Sequence, residues 1–436
     1  MSTTARRAIF YSLFLAFLLI GSLVTLYAMG YHLDWDNLSP AKVGGLYVHS
    51  SPADVAIELN GETIKNKSGL FSNGTFVGGL PPRSYRLTLS APLYRTWQRD
   101  IAVAPALVTE IKHALLIPEI IPEVYPSGAE HFWPIGKGLA ISDSKIGLRL
   151  GSSTLPGGEI LDWTQDGRVI LTRESANYYW FDAKSGTSTT LNPIFTKNTL
   201  LKIKNVSLDK ESGQIIMRTT DSIATLDVPS RTMETIATSS KNTELPNITS
   251  SRYWLAWSVY ENKTNSSRIV LYDKLLKNKT VLAEKMVGRV VQMDWSADEI
   301  LGILDERGEF FTYSPGADKP THIASDGRFF VFSRNSERVA IFENRSLEIF
   351  TFQQKDEYWR FNIPNSADIK KAWWHEDMWH IVFTYPGKTV ILDLEDKALQ
   401  NLETLAETDN AIFQSETGFL YYGRSGNVYR LELGKG

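Results

Sequence analysis

The chain reads as all-β after one N-terminal transmembrane helix: a small β-sandwich, then a β-propeller of eight or seven blades. Three observations predict this. Residues 8–29 form an apolar run, with no charged side chain between Arg7 and Asp34. Across residues 44–117 apolar positions alternate with polar ones, the period of half-buried strands. Beyond residue 130 an aromatic–hydroxyl–x–acidic signature recurs, each copy followed by a strand pair.

The apolar run comes first. At about 1.5 Å per residue, roughly 22 helical residues cross a hydrocarbon core of about 30 Å. Arg6 and Arg7 precede the run while Asp34 and Asp36 follow it, so residues 1–7 are expected in the cytoplasm and everything after Gly30 outside. A cleaved signal peptide competes with this reading. Its apolar core would be shorter, and Ala28 has bulky Leu26 two places before it where a small residue is needed. Tyr27 and Tyr31 suit the outer headgroup layer. The expectation is an uncleaved single-pass anchor (8–29), with the lipid bilayer as the first partner.

Composition narrows the rest. The chain has 436 residues, 43% of them apolar, and a net charge of −3. Nothing in it suggests nucleic acid binding, which needs clustered Lys and Arg. The absence of cysteine excludes disulfides, thiolate zinc sites, iron–sulfur clusters, thiol nucleophiles and cysteine lipidation. An exported chain held by packing alone points to a bacterial cell envelope. Triplets such as Asn73-Gly74-Thr75 and Asn262-Lys263-Thr264 could be glycan acceptors. With no other eukaryotic feature, they read as ordinary turn residues.

After a linker over 30–43, strands are expected around Leu46 and Val48, Val55–Leu59, Tyr85–Leu89, Ile101–Val103 and Val108–Leu115. Asn60-Gly61 marks a hairpin. The stretch Gly45-Leu46-Tyr47-Val48-His49-Ser50-Ser51-Pro52, its continuation through Asn60-Gly61, and Leu80–Leu89 with Tyr94-x-x-Trp97 resemble a PEGA domain. Pro52-Ala53-Asp54-Val55 replaces that family's name-giving tetrapeptide, and Arg83-Ser84 stands where it has Gly before the Tyr strand. The resemblance implies a non-catalytic β-sandwich spacer, set between a membrane anchor and a larger exported domain.

A linker over 118–129 leads to the propeller, 130–436. Asp162-Trp163-Thr164-Gln165-Asp166-Gly167 aligns with Asp294-Trp295-Ser296-Ala297-Asp298. Weaker copies lie at Val206–Asp209, Phe332–Asn335, Trp374–Asp377 and Phe413–Glu416, with a degenerate one around Ser251. Their spacing of 37–45 residues is that of four-stranded blades. Hairpins near 138–149, 168–182, 214–227, 253–273, 300–313, 328–352, 379–393 and 418–433 predict eight blades. A seven-bladed ring, its first segment completing the last blade, is the alternative. The repeat is similar to TolB-like and WD-repeat propellers, which implies a binding or interaction module more than an enzyme.

No catalytic, cofactor or metal residue is assigned, and no cofactor is expected. His375, Glu376, Asp377 and His380 suggest a metal cluster, but His-Glu-x-x-His spaces its histidines by four and here the interval is five. On a strand–turn–strand these side chains are expected to splay. Asp166, Asp298 and Asp377 read as turn residues before they read as calcium or sugar ligands. Ten of the twelve tryptophans follow Ile117, and blade packing is their expected role. There is no Gly-x-Ser-x-Gly elbow and no phosphate loop, and Asp305-Glu306 is an ordinary loop pair. The expected function is that of a membrane-anchored, exported, non-enzymatic binding or scaffold protein. Its propeller would present an axial face to an envelope protein, peptide or polysaccharide. One alternative is an exported hydrolase or lyase with an axial active site, in which acidic residues from several blades converge; another is a structural surface-layer or adhesion component.

Overall fold

The computed structural model describes residues 3–28, 31–34, 39–68, 74–126, 128–195, 202–282, 286–352, 358–363, 366–369, 371–395 and 402–434. The expected end of the anchor at Met29 lies outside these residues, as do Gly30, Trp35 and Asp36 of the expected linker. The chain divides into two units, Met1–Ile121 with Glu432–Gly436, and Pro122–Leu431.

The first unit opens with a continuous helix over Thr3–Ala28. Among the described residues no helix is long and apolar enough to cross a membrane; the run of described side chains, 9–22, is bounded by Ala8 and Leu23, whose side chains lie outside the described set. Within that run the large apolar side chains are exposed. The segment expected as a plain linker instead forms a hairpin, Tyr31–Asp34 paired with Ser39–Lys42. Lys42 lies 5.4 Å from the Tyr31 ring centroid, a cation–π contact that alternation-based reading does not register.

Two sheets follow. One has Gly44–Ser51 at its centre, antiparallel to Thr75–Leu80 and parallel to Val108–Leu115. The other has four antiparallel strands, including Ala56–Leu59, Ser84–Ser90 and Trp97–Ala102. Leu46, Val48 and Ile111 of the first sheet share one apolar core with Ile57, Leu87 and Trp97 of the second. The Asn60-Gly61 turn has φ of 53° and 84°, the left-handed pair a tight two-residue hairpin requires.

Among the described residues the second unit is a ring of eight antiparallel sheets, seven of four strands and one of six. Blades 1 to 8 begin with the strands Ala129–Ile135, Glu159–Trp163, Ile203–Leu208, Ile248–Ser250, Val290–Trp295, Phe329–Phe332, Ala372–Trp374 and Ala411–Gln414. Two short strands, Thr243–Glu244 and Met286–Val287, extend blade 4. Seven of the eight expected hairpins coincide with a strand pair, and the eighth, 328–352, spans three strands. The fourth strand of blade 8 is Glu123–Tyr125, paired with Asn427–Glu432. Part of the expected 118–129 linker is therefore ring structure. It is recruited because the last blade would otherwise carry an open edge. The first segment is a blade of its own, so the seven-bladed alternative is not the one realised.

The core lies between blades, because each sheet is apolar on both faces. Blades 6 and 7 share the largest cluster, which includes Phe342, Phe361 and Phe383, each without exposed surface. Arg338 of blade 6 reinforces that seam, sitting 4.8 and 4.4 Å from the Trp359 and Trp379 centroids and donating to the Met378 carbonyl at 2.7 Å. The seam between blades 8 and 1 holds Phe132, Ile141, Tyr421 and Val428, and Gln414 Nε2 donates across it to the Gly136 carbonyl at 3.1 Å. The first strands of neighbouring blades are the ones that touch, so they line the axis.

Candidate functional site

The recurring signature builds one turn several times over. In blade 2 the Thr164 hydroxyl donates to Asp166 at 2.7 Å and accepts the Val169 N–H at 2.9 Å, while the Arg168 N–H donates to Asp166 at 2.9 Å. Blade 6 repeats this with Ser333, Asn335 and Arg338. In blade 7 an imidazole takes the place of the hydroxyl. His375 Nδ1 lies 3.1 Å from one Asp377 oxygen, and His380 Nδ1 lies 2.7 Å from the other. The three side chains come within 4.8 Å of one another; Glu376 is outside the group. This corrects the expectation that they splay, since the turn folds Asp377 back between the strand ends that carry the two histidines.

The three facing groups could hold a metal ion, and they are also tied into the scaffold. Asp377 also accepts the N–H groups of Trp379 and His380, at 2.8 and 3.1 Å. Burial works against its charge, but the His380 and His375 imidazoles outweigh that and hold it well below the usual carboxylate range. Burial likewise disfavours a charged His380, yet Asp377, Asp393 and Glu395 raise it above the ordinary histidine value. Both imidazoles are almost fully enclosed, and His375 stacks on Phe413 of blade 8. The Asp298 N–H reaches out of its own turn and donates to Ser336 Oγ in the turn of blade 6, at 2.8 Å. Asp305 folds onto its own loop, accepting the Arg307 and Glu309 N–H groups. Of the ten tryptophans after Ile117, four are buried and six half-buried, and none stands exposed as a sugar-stacking surface.

A different constellation occupies the axis. Asp162 and Asp294 hold equivalent places in blades 2 and 5, each just before the signature tryptophan and each accepting that tryptophan's N–H at 2.9 Å. Asp162 is fully engaged: its second oxygen accepts the Leu208 N–H at 2.8 Å, and it forms an ion pair with Lys210 of blade 3. Lys210 also donates to the Trp163 carbonyl at 2.9 Å and lies 5.5 Å from that ring's centroid. Asp294 is open to water yet walled by the inner strands, and desolvation pushes its carboxyl up to about 6 although Lys210 opposes the shift. The sequence alignment pairs Asp162 with Asp294; that repeated acid-before-Trp is the signal that could have marked them. Lys210→Met is expected to move the Asp294 titration to still higher pH, measured by carboxyl-carbon NMR; an unchanged midpoint would separate the two groups.

The turn 209–214 that carries Lys210 also borders two clefts, of about 190 Å³ between blades 2 and 3 and about 430 Å³ between blades 3 and 4.

No family model matches the chain, and no curated protein matches it. Solved structures do. The chain is similar to one described as the Dos1 propeller, at 11% identity over 72% of this chain and 94% of that one, with a TM-score of 0.50. The second unit has the β-propeller fold. A structure of oligogalacturonate lyase in complex with manganese is similar at 8% identity, over 72% of this chain and 96% of that one, TM-score 0.47. The WD40 domain of SCAP from fission yeast is similar at 11% identity, over 63% and 84%, TM-score 0.43.

Proposed function

We propose that the protein is a membrane-anchored, extracytoplasmic binding protein without enzymatic activity. Its helix tethers it, a PEGA-like sandwich links helix to propeller along the chain, and the propeller's turn-lined end receives a protein, peptide or polysaccharide. The observation that carries the non-enzymatic reading is the commitment of Asp162. Acid–base hydrolysis of glycosides uses two available carboxyl groups, and of the equivalent pair Asp162 and Asp294, both Asp162 oxygens are held by backbone and Lys210. The hydrolase or lyase reading keeps one specific support, the raised Asp294 carboxyl, which suits a general acid. The test presents peptide and polysaccharide panels to the full chain in detergent. Retention of an intact ligand, lost in Asp294→Asn, is expected; turnover of that ligand would reverse the reading.

Tethering is supported by the helix itself. Phe10, Leu13, Phe14, Phe17, Leu19 and Ile20 are 53–71% exposed, and consecutive positions are uncovered, so no single face is buried against protein. Lipid is the solvent that suits such a surface. The full chain is expected to stay with membranes through alkaline carbonate extraction, and deletion of residues 1–30 to release it. Release of the intact chain would remove the anchor from this account.

A further inference from the structure

The cleft between blades 3 and 4 has walls of opposite charge. Blade 3 contributes Glu211, Asp227 and Glu234; blade 4 contributes Arg252 and Lys277. Deeper in, Asp209 and Lys274 form an ion pair, with Asp209 Oδ2 and Lys274 Nζ both bonded to Ser250 Oγ, at 2.7 and 2.8 Å. The Asp209 side chain is only 6% exposed, so this pair is a built floor and not a surface accident. Among the described residues no other ion pair joins the two walls. Ile216, Ile236 and Leu255 supply an apolar lining.

Unneutralised charges of opposite sign across a low-dielectric cleft set up a field along one direction. A ligand of single charge is drawn to one wall and repelled by the other, whereas a dipolar one satisfies both. At about 430 Å³ the space matches small-ligand sites. Tyr272, Thr225 and Gln214 also line it, offering hydrogen-bonding groups for amides. Burial, with Glu234 and Asp273 nearby, keeps the Tyr272 hydroxyl protonated. With no exposed tryptophan after Ile117 to stack a sugar, amide and charge recognition is the chemistry on offer.

We propose that this cleft binds a short zwitterionic peptide, its free amine against Glu211, Asp227 and Glu234 and its carboxylate against Arg252 and Lys277. The proposal rests on the binding-protein reading above and adds the ligand class.

The test titrates the full chain in detergent, at low salt, with tri-alanine carrying free termini, its N-acetyl form, its C-amide form and the doubly blocked form, followed by calorimetry. The free peptide is expected to bind, and blocking either end to weaken it at least about tenfold, the scale of one lost charge-assisted pair. Arg252→Glu and Lys277→Glu, both at exposed positions, should weaken the free peptide by a similar factor while leaving the C-amide unaffected. Glu211→Gln and Glu234→Gln should do the same to the free peptide and spare the N-acetyl form. Equal affinity for all four peptides, no binding of any, or an equal loss for acid and amide in the Arg252 variant would overturn the proposal. If tri-alanine fails while an Asp294-dependent ligand is still retained, this inference alone falls; if both fail, the binding-protein reading falls with it.

Discussion

Asp377→Ala is expected to destabilise the propeller by about 3–5 kcal/mol, the cost of removing one partner from a buried charged network. The substitution leaves His375 and His380 enclosed and takes away the acceptor of two backbone N–H groups. Asp377→Asn should recover only part of the loss, because an amide can accept from the backbone but cannot balance a charged imidazole. Equilibrium unfolding in guanidinium measures both; a loss below about 1 kcal/mol would reduce the cluster to an ordinary turn. The same network predicts a pH window. His380 has a raised folded value, so its contribution is complete below the unfolded histidine pKa and fades as pH rises through the folded one. Asp377 has a lowered value, so its contribution is present above the unfolded carboxylate pKa and fades as pH falls through the folded one. Stability should thus decline as pH rises past the ordinary histidine value, and His380→Gln should flatten that decline.

Phe383→Ala is expected to cost about 3–5 kcal/mol, for a different reason. Phe383 has no exposed surface and packs edge-on to Phe342 of blade 6 at 5.7 Å and to Tyr385 of its own blade at 5.4 Å. Alanine would leave a cavity in the seam between two blades, and seams are where this ring is held together. Phe383→Leu, which refills most of the volume, should cost much less. Thermal unfolding followed by near-ultraviolet dichroism would show whether the ring melts as one; a variant that loses one blade without the rest would contradict a cooperative ring.

The blades were legible because their signature is local: Thr164, Asp166 and Val169 close a turn among themselves, so their spacing in the chain is their spacing in space. The closing strand Glu123–Tyr125 was not, since its partner lies some three hundred residues away and three residues carry no period. Asp377 could be read as a turn residue, but its convergence with two imidazoles depends on side-chain reach, which no alternation pattern encodes. The environment of Asp294 exists only once the ring has closed around it. The cleft is similar: Glu234 and Lys277 stand on neighbouring blades, and nothing between them in the chain pairs their charges.

The strand that completes blade 8 precedes blade 1 in the chain. During synthesis it is therefore made early and must wait, unpaired, until Asn427–Glu432 emerges some three hundred residues later. For most of its manufacture the molecule is an open arc with sticky edges at both sides, needing shelter from its neighbours. A chain interrupted just before Asn427 would carry the first seven blades and have no way to shut.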